Sequence, residues 1–320
     1  MAVYTEVSDE ELQTFLQHYD LGEVTSFKGI AEGVENSNYL LHTTKGRYIM
    51  TLYEKRVRPE DLPYFLGLMD HLAGRGIRCP TPLRGRDGEA LRRLCGRPAV
   101  IVTFLDGLWP RRILPAHCQK LGQAMAEMHL AGADFPLHRD NDLSVAGWRK
   151  LFDACASRAH QVRDGLAEEL SAELAQLEQA WPHDLPAGVI HADLFPDNVF
   201  FLADQLSGLI DFYFACNDFF AYDLAVCLNA WCFEPDRAFN ITKARLMLQA
   251  YRRVRPYSDR ELEALPLLAR GSALRFLLTR LYDLLHHPPG ALVEPKDPLE
   301  YWHKLRFHQD VRGPGAYGLD

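Results

Sequence analysis

The stretch His191-Ala192-Asp193-Leu194-Phe195-Pro196-Asp197-Asn198 runs into apolar residues 199–202 and, after a turn, reaches Ile210-Asp211-Phe212. Short β-type groups around it (Val189-Ile190, Val199-Phe200-Phe201, Leu209-Ile210) alternate with polar turns, so each polar residue begins or ends a strand. Taken singly, Asp193, Asp197 and Asn198 read as turn formers and Asp211 as a strand-end residue, because Asp and Asn side chains bond their own backbone at such places. Four such residues in register with flanking strands carry more than turn chemistry. An Asp, an Asn five positions on and an Asp thirteen further, joined by a hairpin that folds the last over the first two, place two carboxylates and an amide together. His191 reads as a residue that orients the loop by hydrogen bonding, and it ranks below Asp193 as a proton acceptor.

Phosphoryl transfer asks for such a set: a carboxylate beside the acceptor hydroxyl, and oxygen ligands for Mg²⁺ bridging the nucleotide phosphates. The spacing His-x-Asp-x-x-x-x-Asn followed by Asp-Phe repeats that of the kinase catalytic loop and metal motif. On this reading Asp193, His191 and Asn198 are the catalytic group, with Asn198 and Asp211 as metal ligands. A loop to cover phosphates is sought between the first two strands. Residues 29–39 carry Gly29, Gly33 and the small polar Asn36, Ser37 and Asn38, which let backbone N–H groups approach phosphate oxygens. A surface β-turn has the same composition; the position just before a hairpin is what favours the phosphate reading.

Outward from these motifs, Ser8-Asp9-Glu10-Glu11 has capping-box form, and Leu12, Phe15, Leu16 and Tyr19 follow at helical spacing. Residues 24–28, 38–43 and 47–53 are strand-like, with Thr44-Lys45-Gly46 as a hairpin turn, and residues 90–94 and 99–104 add two more strands. Pro59 suits the first turn of a helix to about residue 73. Beyond Asp106-Gly107 the pattern is helical over 115–131, 143–180, 221–232, 238–254 and 259–285. The expected fold class is α+β: a five-stranded antiparallel sheet with one helix in residues 1–105, and a mainly helical lobe with an embedded catalytic β-hairpin in residues 106–320.

At 320 residues two lobes sharing a cleft are expected. A net charge of -8 argues against nucleic acid or an anionic membrane as the main partner, since both select clustered Lys and Arg. The cysteines number seven and show no Cys-x-x-Cys spacing, so they read as reduced thiols. With no basic start and apolar stretch at the N-terminus, and no apolar run of roughly 18 residues, a cytoplasmic location is expected.

With these residues in hand, the chain resembles the protein-kinase-like phosphotransferases that include aminoglycoside phosphotransferases, choline kinases and one class of bacterial homoserine kinases. The loop His191 to Asn198 and the downstream Asp211 carry that resemblance. Glu35-Asn36-Ser37-Asn38-Tyr39, Tyr53-Glu54-Lys55-Arg56, and the segment from Arg275 through Tyr282-Asp283 to Lys296-Asp297-Pro298 with Glu300-Tyr301 resemble the homoserine kinases in particular.

The resemblance implies ATP and Mg²⁺ as cofactors, Asp193 as base or hydroxyl-orienting group, and adenine against the backbone near Thr103 to Leu105. In relatives the third strand carries a phosphate-gripping Lys; here the position falls on Thr51, with Lys55 or Arg56 as the substitutes, or the contact is made differently. Asp223 matches a position that supports the catalytic region in this class, and it reads equally as a helix N-terminal charge. The implied acceptor is L-homoserine, giving O-phospho-L-homoserine for threonine biosynthesis. A zwitterionic acceptor needs acids and a cation facing each other, and Arg275, Arg280, Asp283 and Lys296 are the candidates; a solvated helix face is the competing reading. Another alcohol acceptor (aminoglycoside, choline, methylthioribose) and an inert nucleotide-binding pseudokinase are the rival functions. Monomer and homodimer both remain open.

Overall fold

The run Ser37–Thr43 alternates buried and half-buried side chains, because a half-buried strand must send every second side chain inward. The computed structural model describes residues 5–30, 36–54, 57–287 and 294–319. Their contacts divide the chain into two compact units, Met1–Gly107 with Ser207–Tyr213, and Leu108–Leu206 with Phe214–Asp320.

The first unit opens with α1 (Asp9–Leu16), whose Ser8/Glu11 capping box satisfies its first N–H groups. Strands β1 (Val24–Gly29), β2 (Ser37–Thr43), β3 (Gly46–Leu52), β4 (Arg92–Leu94) and β5 (Arg97–Thr103) form an antiparallel sheet in the order β1-β2-β3-β5-β4. Tyr39 and Leu41 of β2, Met50 and Leu52 of β3 and Ile101 of β5 are buried with Leu12 and Phe15 of α1, so that helix joins the sheet's core. Each fully buried aliphatic side chain there contributes about 1.5–3 kcal/mol. A 3₁₀ turn at Pro59–Asp61 leads into α2 (Leu62–Gly74). The sequence assigns all residues beyond 106 to the helical lobe, whereas the contacts group Ser207–Tyr213 with this first unit: the Leu209 N–H bonds the Arg78 carbonyl at 2.9 Å, and a Cβ on Gly208 would lie 2.7 Å from the Leu105 side chain.

The second unit contains α3 (Pro115–Ala131), α4 (Val145–Cys155), α5 (Leu166–Ala180), β6 (Ala187–Ile190) and β7 (Val199–Leu202). The chain then turns back through β8 (Gln205–Leu209), and continues as β9 (Cys216–Phe219), α6 (Phe220–Trp231), α7 (Ile241–Val254), α8 (Asp259–Leu285) and α9 (Leu299–Asp310). β6 pairs antiparallel with β9, from Ala187 opposite Phe219 to Ile190 opposite Cys216. The helical pattern of 143–180 is interrupted by a 3₁₀ turn at Ala156–Gln161 and by Gly165 at φ 74°, a left-handed conformation glycine takes without a Cβ penalty. Among the described residues no helix is long and apolar enough to cross a membrane.

α3 and α7 pack backbone to backbone at Gly122, where an added Cβ would sit 2.1 Å from the Met247 carbonyl oxygen. Gly122→Ala must therefore push the helices apart, and overpacking of this kind costs about 1–3 kcal/mol. The expected result is a lowered denaturant midpoint with an unchanged m-value; an unaltered midpoint would show that the helices separate freely.

Candidate active site

Strand β6 delivers the chain at Ile190 into the loop 191–198, and the loop's backbone is fixed from three sides. Asp223, on the first turn of α6 and 0% exposed, accepts the His191 N–H on Oδ2 at 2.9 Å and the Ala192 N–H on Oδ1 at 2.8 Å. Two consecutive N–H groups converge on one carboxylate because Ala192 turns into the left-handed region at φ 61°. Such backbone costs of order 1–3 kcal/mol and persists only where surroundings over-determine it. Arg275, 1% exposed on α8, donates to the Ala192 carbonyl, and the Trp231 indole donates to the Leu194 carbonyl at 2.7 Å. Asp193 is left half-buried between these fixed points.

Within the loop, the Asn198 amide nitrogen donates to the Asp193 carbonyl at 2.8 Å and lies 3.3 Å from its Oδ2. That bond turns the amide oxygen of Asn198 away as a hard donor. His191 is fully buried, and its backbone is what Asp223 grips. Burial pushes the Asp223 carboxyl up, but the hydrogen bond from His129 and the His191 N–H outweigh it and hold the group below the usual carboxylate range. His129 is buried as well, and burial pulls it below the usual histidine value. The pair is thus a carboxylate and a neutral imidazole.

In the first unit, Asp211 adopts φ 65° on the exposed return of the hairpin. Beside it the Tyr53 and Tyr213 hydroxyls meet at 3.0 Å, and burial together with the Asp211 charge pushes both tyrosines above their usual range. Gly29 ends β1. Asn36 accepts the Glu54 N–H at 3.3 Å, Ser37 donates to the Glu54 carboxylate at 2.7 Å, and Asn38 accepts the Thr51 hydroxyl at 2.8 Å. These polar side chains shape the start of β2, and Glu54 ties them to Thr5 and Arg97 as well. Thr51 is buried and its hydroxyl is used in the sheet. Thr103 exchanges both backbone and hydroxyl bonds with Thr81, and Leu105 abuts Gly208. Gly33 and Lys55 lie outside the described residues.

The substrate candidates separate. Arg275 is a clamp on the loop, with its guanidinium over Phe276 at 4.4 Å. Arg280 and Lys304 both pair with Glu300 at 2.6 Å and lie 4.5 and 4.3 Å from the Tyr301 ring. The buried Tyr301 hydroxyl has no hydrogen-bond partner among the described residues. Lys296 lies 5.7 Å from the Phe195 ring, and Asp283 is half-buried near Cys155. Sequence reasoning missed Lys304, His129, Tyr251 and Trp231; each sits on a helix where its period reads as ordinary packing.

Among the described residues no three His, Cys, Asp or Glu gather as a metal cage. The amide oxygen of Asn198 is a hard donor of the kind Mg²⁺ prefers, an ion that keeps waters and takes further ligands from phosphates.

The fold is that of small-molecule kinases with the protein-kinase architecture. It is similar to the choline kinase of Cryptosporidium parvum, with a TM-score of 0.70 at 15% identity over 94% of each chain. Spectinomycin phosphotransferase, solved with ADP and spectinomycin, matches with a TM-score of 0.68 at 14% identity over 98% of each chain. Residues 26–257 match the phosphotransferase enzyme family, and the chain belongs to it. Within that class it belongs to the homoserine kinases, being 67% identical to the homoserine kinase of Paramagnetospirillum magneticum over 100% of both chains.

Proposed function

We propose that the chain transfers the γ-phosphoryl group of ATP to the side-chain hydroxyl of L-homoserine, giving O-phospho-L-homoserine and ADP. The observation that carries this reading is the 67% identity to a homoserine kinase across the whole of both chains. The acceptor oxygen attacks the γ-phosphorus, the bond to the β-bridging oxygen breaks with ADP as leaving group, and the hydroxyl proton passes to Asp193. Asp193 aligns the hydroxyl, so most of its effect is positioning. Asn198 and Asp211 are the residues assigned to Mg²⁺, which when bound offsets charge on the β and γ oxygens. Gly29, Gly33, Asn36, Ser37 and Asn38 are assigned to the phosphates, Lys55 to the role the strand lysine plays in relatives, and Thr103 to Leu105 to adenine. Arg280 and Lys296 are assigned to the acceptor's carboxylate and Asp283 to its ammonium, while Arg275 holds the loop. The product enters threonine biosynthesis.

A coupled ADP-release assay with Mg-ATP and L-homoserine, L-threonine, L-serine, choline, methylthioribose and kanamycin tests the assignment. A kcat/KM for L-homoserine at least about a hundredfold above every other alcohol is expected, since a site built for both charged groups of the acceptor leaves them unpaired with the wrong one. Preferential turnover of another alcohol would remove homoserine and keep the catalytic loop; ADP release from none would remove the kinase reading.

A further inference from the structure

A directional chain of buried hydrogen bonds runs into the catalytic loop from behind, through side chains the proposed chemistry does not use. Arg255, at the end of α7, donates from Nη1 to the Tyr251 hydroxyl at 3.3 Å and to Glu261 Oε1 at 2.9 Å. The Tyr251 hydroxyl lies 2.8 Å from His129 Nδ1, and His129 Nε2 lies 3.1 Å from Asp223 Oδ2. The same oxygen accepts the His191 N–H. Tyr251, His129 and Asp223 are all essentially inaccessible to solvent. The Phe220 ring covers the chain, 4.3 Å from the Arg255 guanidinium and 4.8 Å from the His129 ring.

Each link admits one direction. Asp223 as a carboxylate only accepts, so His129 Nε2 must carry the proton. A neutral His129 then accepts at Nδ1, so the tyrosine hydroxyl donates there, and its oxygen remains to accept from Arg255, which only donates. The tautomer of His129 is thus set from both sides, as imidazoles are wherever a second group holds the far nitrogen. Its consequence falls on Asp223 Oδ2, the atom that grips the loop two residues before Asp193.

We infer that His129 and Tyr251 are positioning residues for phosphoryl transfer, holding Asp223 in the orientation that sets the catalytic loop. The inference rests on the proposed role of Asp193. Tyr251→Phe removes one oxygen and keeps the ring. It is expected to lower kcat about tenfold, short of the roughly hundredfold that a full ångström of misplacement costs, with KM for ATP and acceptor within about twofold. His129→Leu removes both bonds and loses more. His129→Gln, whose amide N–H can reach Asp223 while its length mimics Nε2, recovers most of that loss.

The measurement that separates positioning from mere packing is ¹⁵N NMR of the histidines without substrate. The wild-type protein should show His129 as the neutral Nε2–H form with a slowly exchanging proton, and Tyr251→Phe should speed that exchange. A kcat within twofold of wild type in Tyr251→Phe, a loss carried by KM, or a His129 protonated at Nδ1 would overturn the inference. Should homoserine fail as acceptor, kcat is read on whichever alcohol the panel shows to be turned over. The NMR signature stands apart from that choice.

Discussion

Asp193→Asn is expected to lower kcat for ADP release with the acceptor by about a thousandfold, within the range a positioned proton acceptor contributes, while nucleotide affinity stays within about twofold. A thousandfold corresponds to about 4 kcal/mol of transition-state stabilisation. The argument is local. The loop that carries Asp193 is fixed by Asp223, Arg275 and Trp231 through backbone groups of His191, Ala192 and Leu194, and none of these bonds uses the Asp193 carboxylate. Exchanging one carboxylate oxygen for an amide nitrogen therefore leaves the loop in place and removes the charge and the acceptor. The Asn198 nitrogen approaches Oδ2 at 3.3 Å, and an amide oxygen at that position can still receive it. Turnover measured by coupled ADP release, with ATP affinity measured by calorimetry, checks both halves. Near-normal turnover would remove Asp193 from the chemistry, and a parallel loss of ATP affinity would assign it to nucleotide binding.

What the sequence made legible followed from how strongly each element patterns. The sheet's strands read as short β-type runs with a Thr44-Lys45-Gly46 turn between two of them, the capping box at Ser8 announces α1, and the loop 191–198 has a spacing that packing alone does not demand. α9 stayed hidden because two members of its inward stripe, Tyr301-Lys304-Leu305-His308, are polar, so its 3.6 period is written in burial and not in hydrophobicity. β9 was missed for a similar reason: Cys-Asn-Asp-Phe is a poor strand by composition, and pairing with β6 overrides it. Site residues were legible where they lie in one contiguous loop. The groups that hold that loop, from α3, α6, α7 and α8, come from stretches up to 122 residues apart in a single bond and carry no local signal. Arg275 shows the limit in the other direction: as a charge on a helix it reads as a substrate cation, and only its burial against the Ala192 carbonyl reveals a clamp.

Asp223 offers two readings in sequence, a helix N-terminal charge or a support of the loop, and energies decide between them. An acidic residue favoured only by the helix dipole is worth about 0.3–1 kcal/mol near the surface. Asp223 is instead wholly buried and accepts from His191 N, Ala192 N and His129 Nε2 at 2.9, 2.8 and 3.1 Å. Asp223→Ala strands all three donors in a space no larger than the lost carboxylate, and a buried donor without a partner costs about 1–3 kcal/mol. The expected destabilisation is about 3–5 kcal/mol, measured as a fall in denaturant midpoint, the upper part of the range being set by how far water reaches the gap. Asp223→Asn separates stability from function. One amide oxygen can serve only one of the two loop N–H groups, and its NH₂ must face the other donor, so the left-handed turn at Ala192 loses the grip that over-determines it. That variant should keep most of its fold while kcat falls about a hundredfold, the cost of displacing Asp193 by roughly an ångström. A loss below 1 kcal/mol in Asp223→Ala, or an unchanged kcat in Asp223→Asn, would return the residue to the dipole reading and leave the loop held by Arg275 and Trp231 alone.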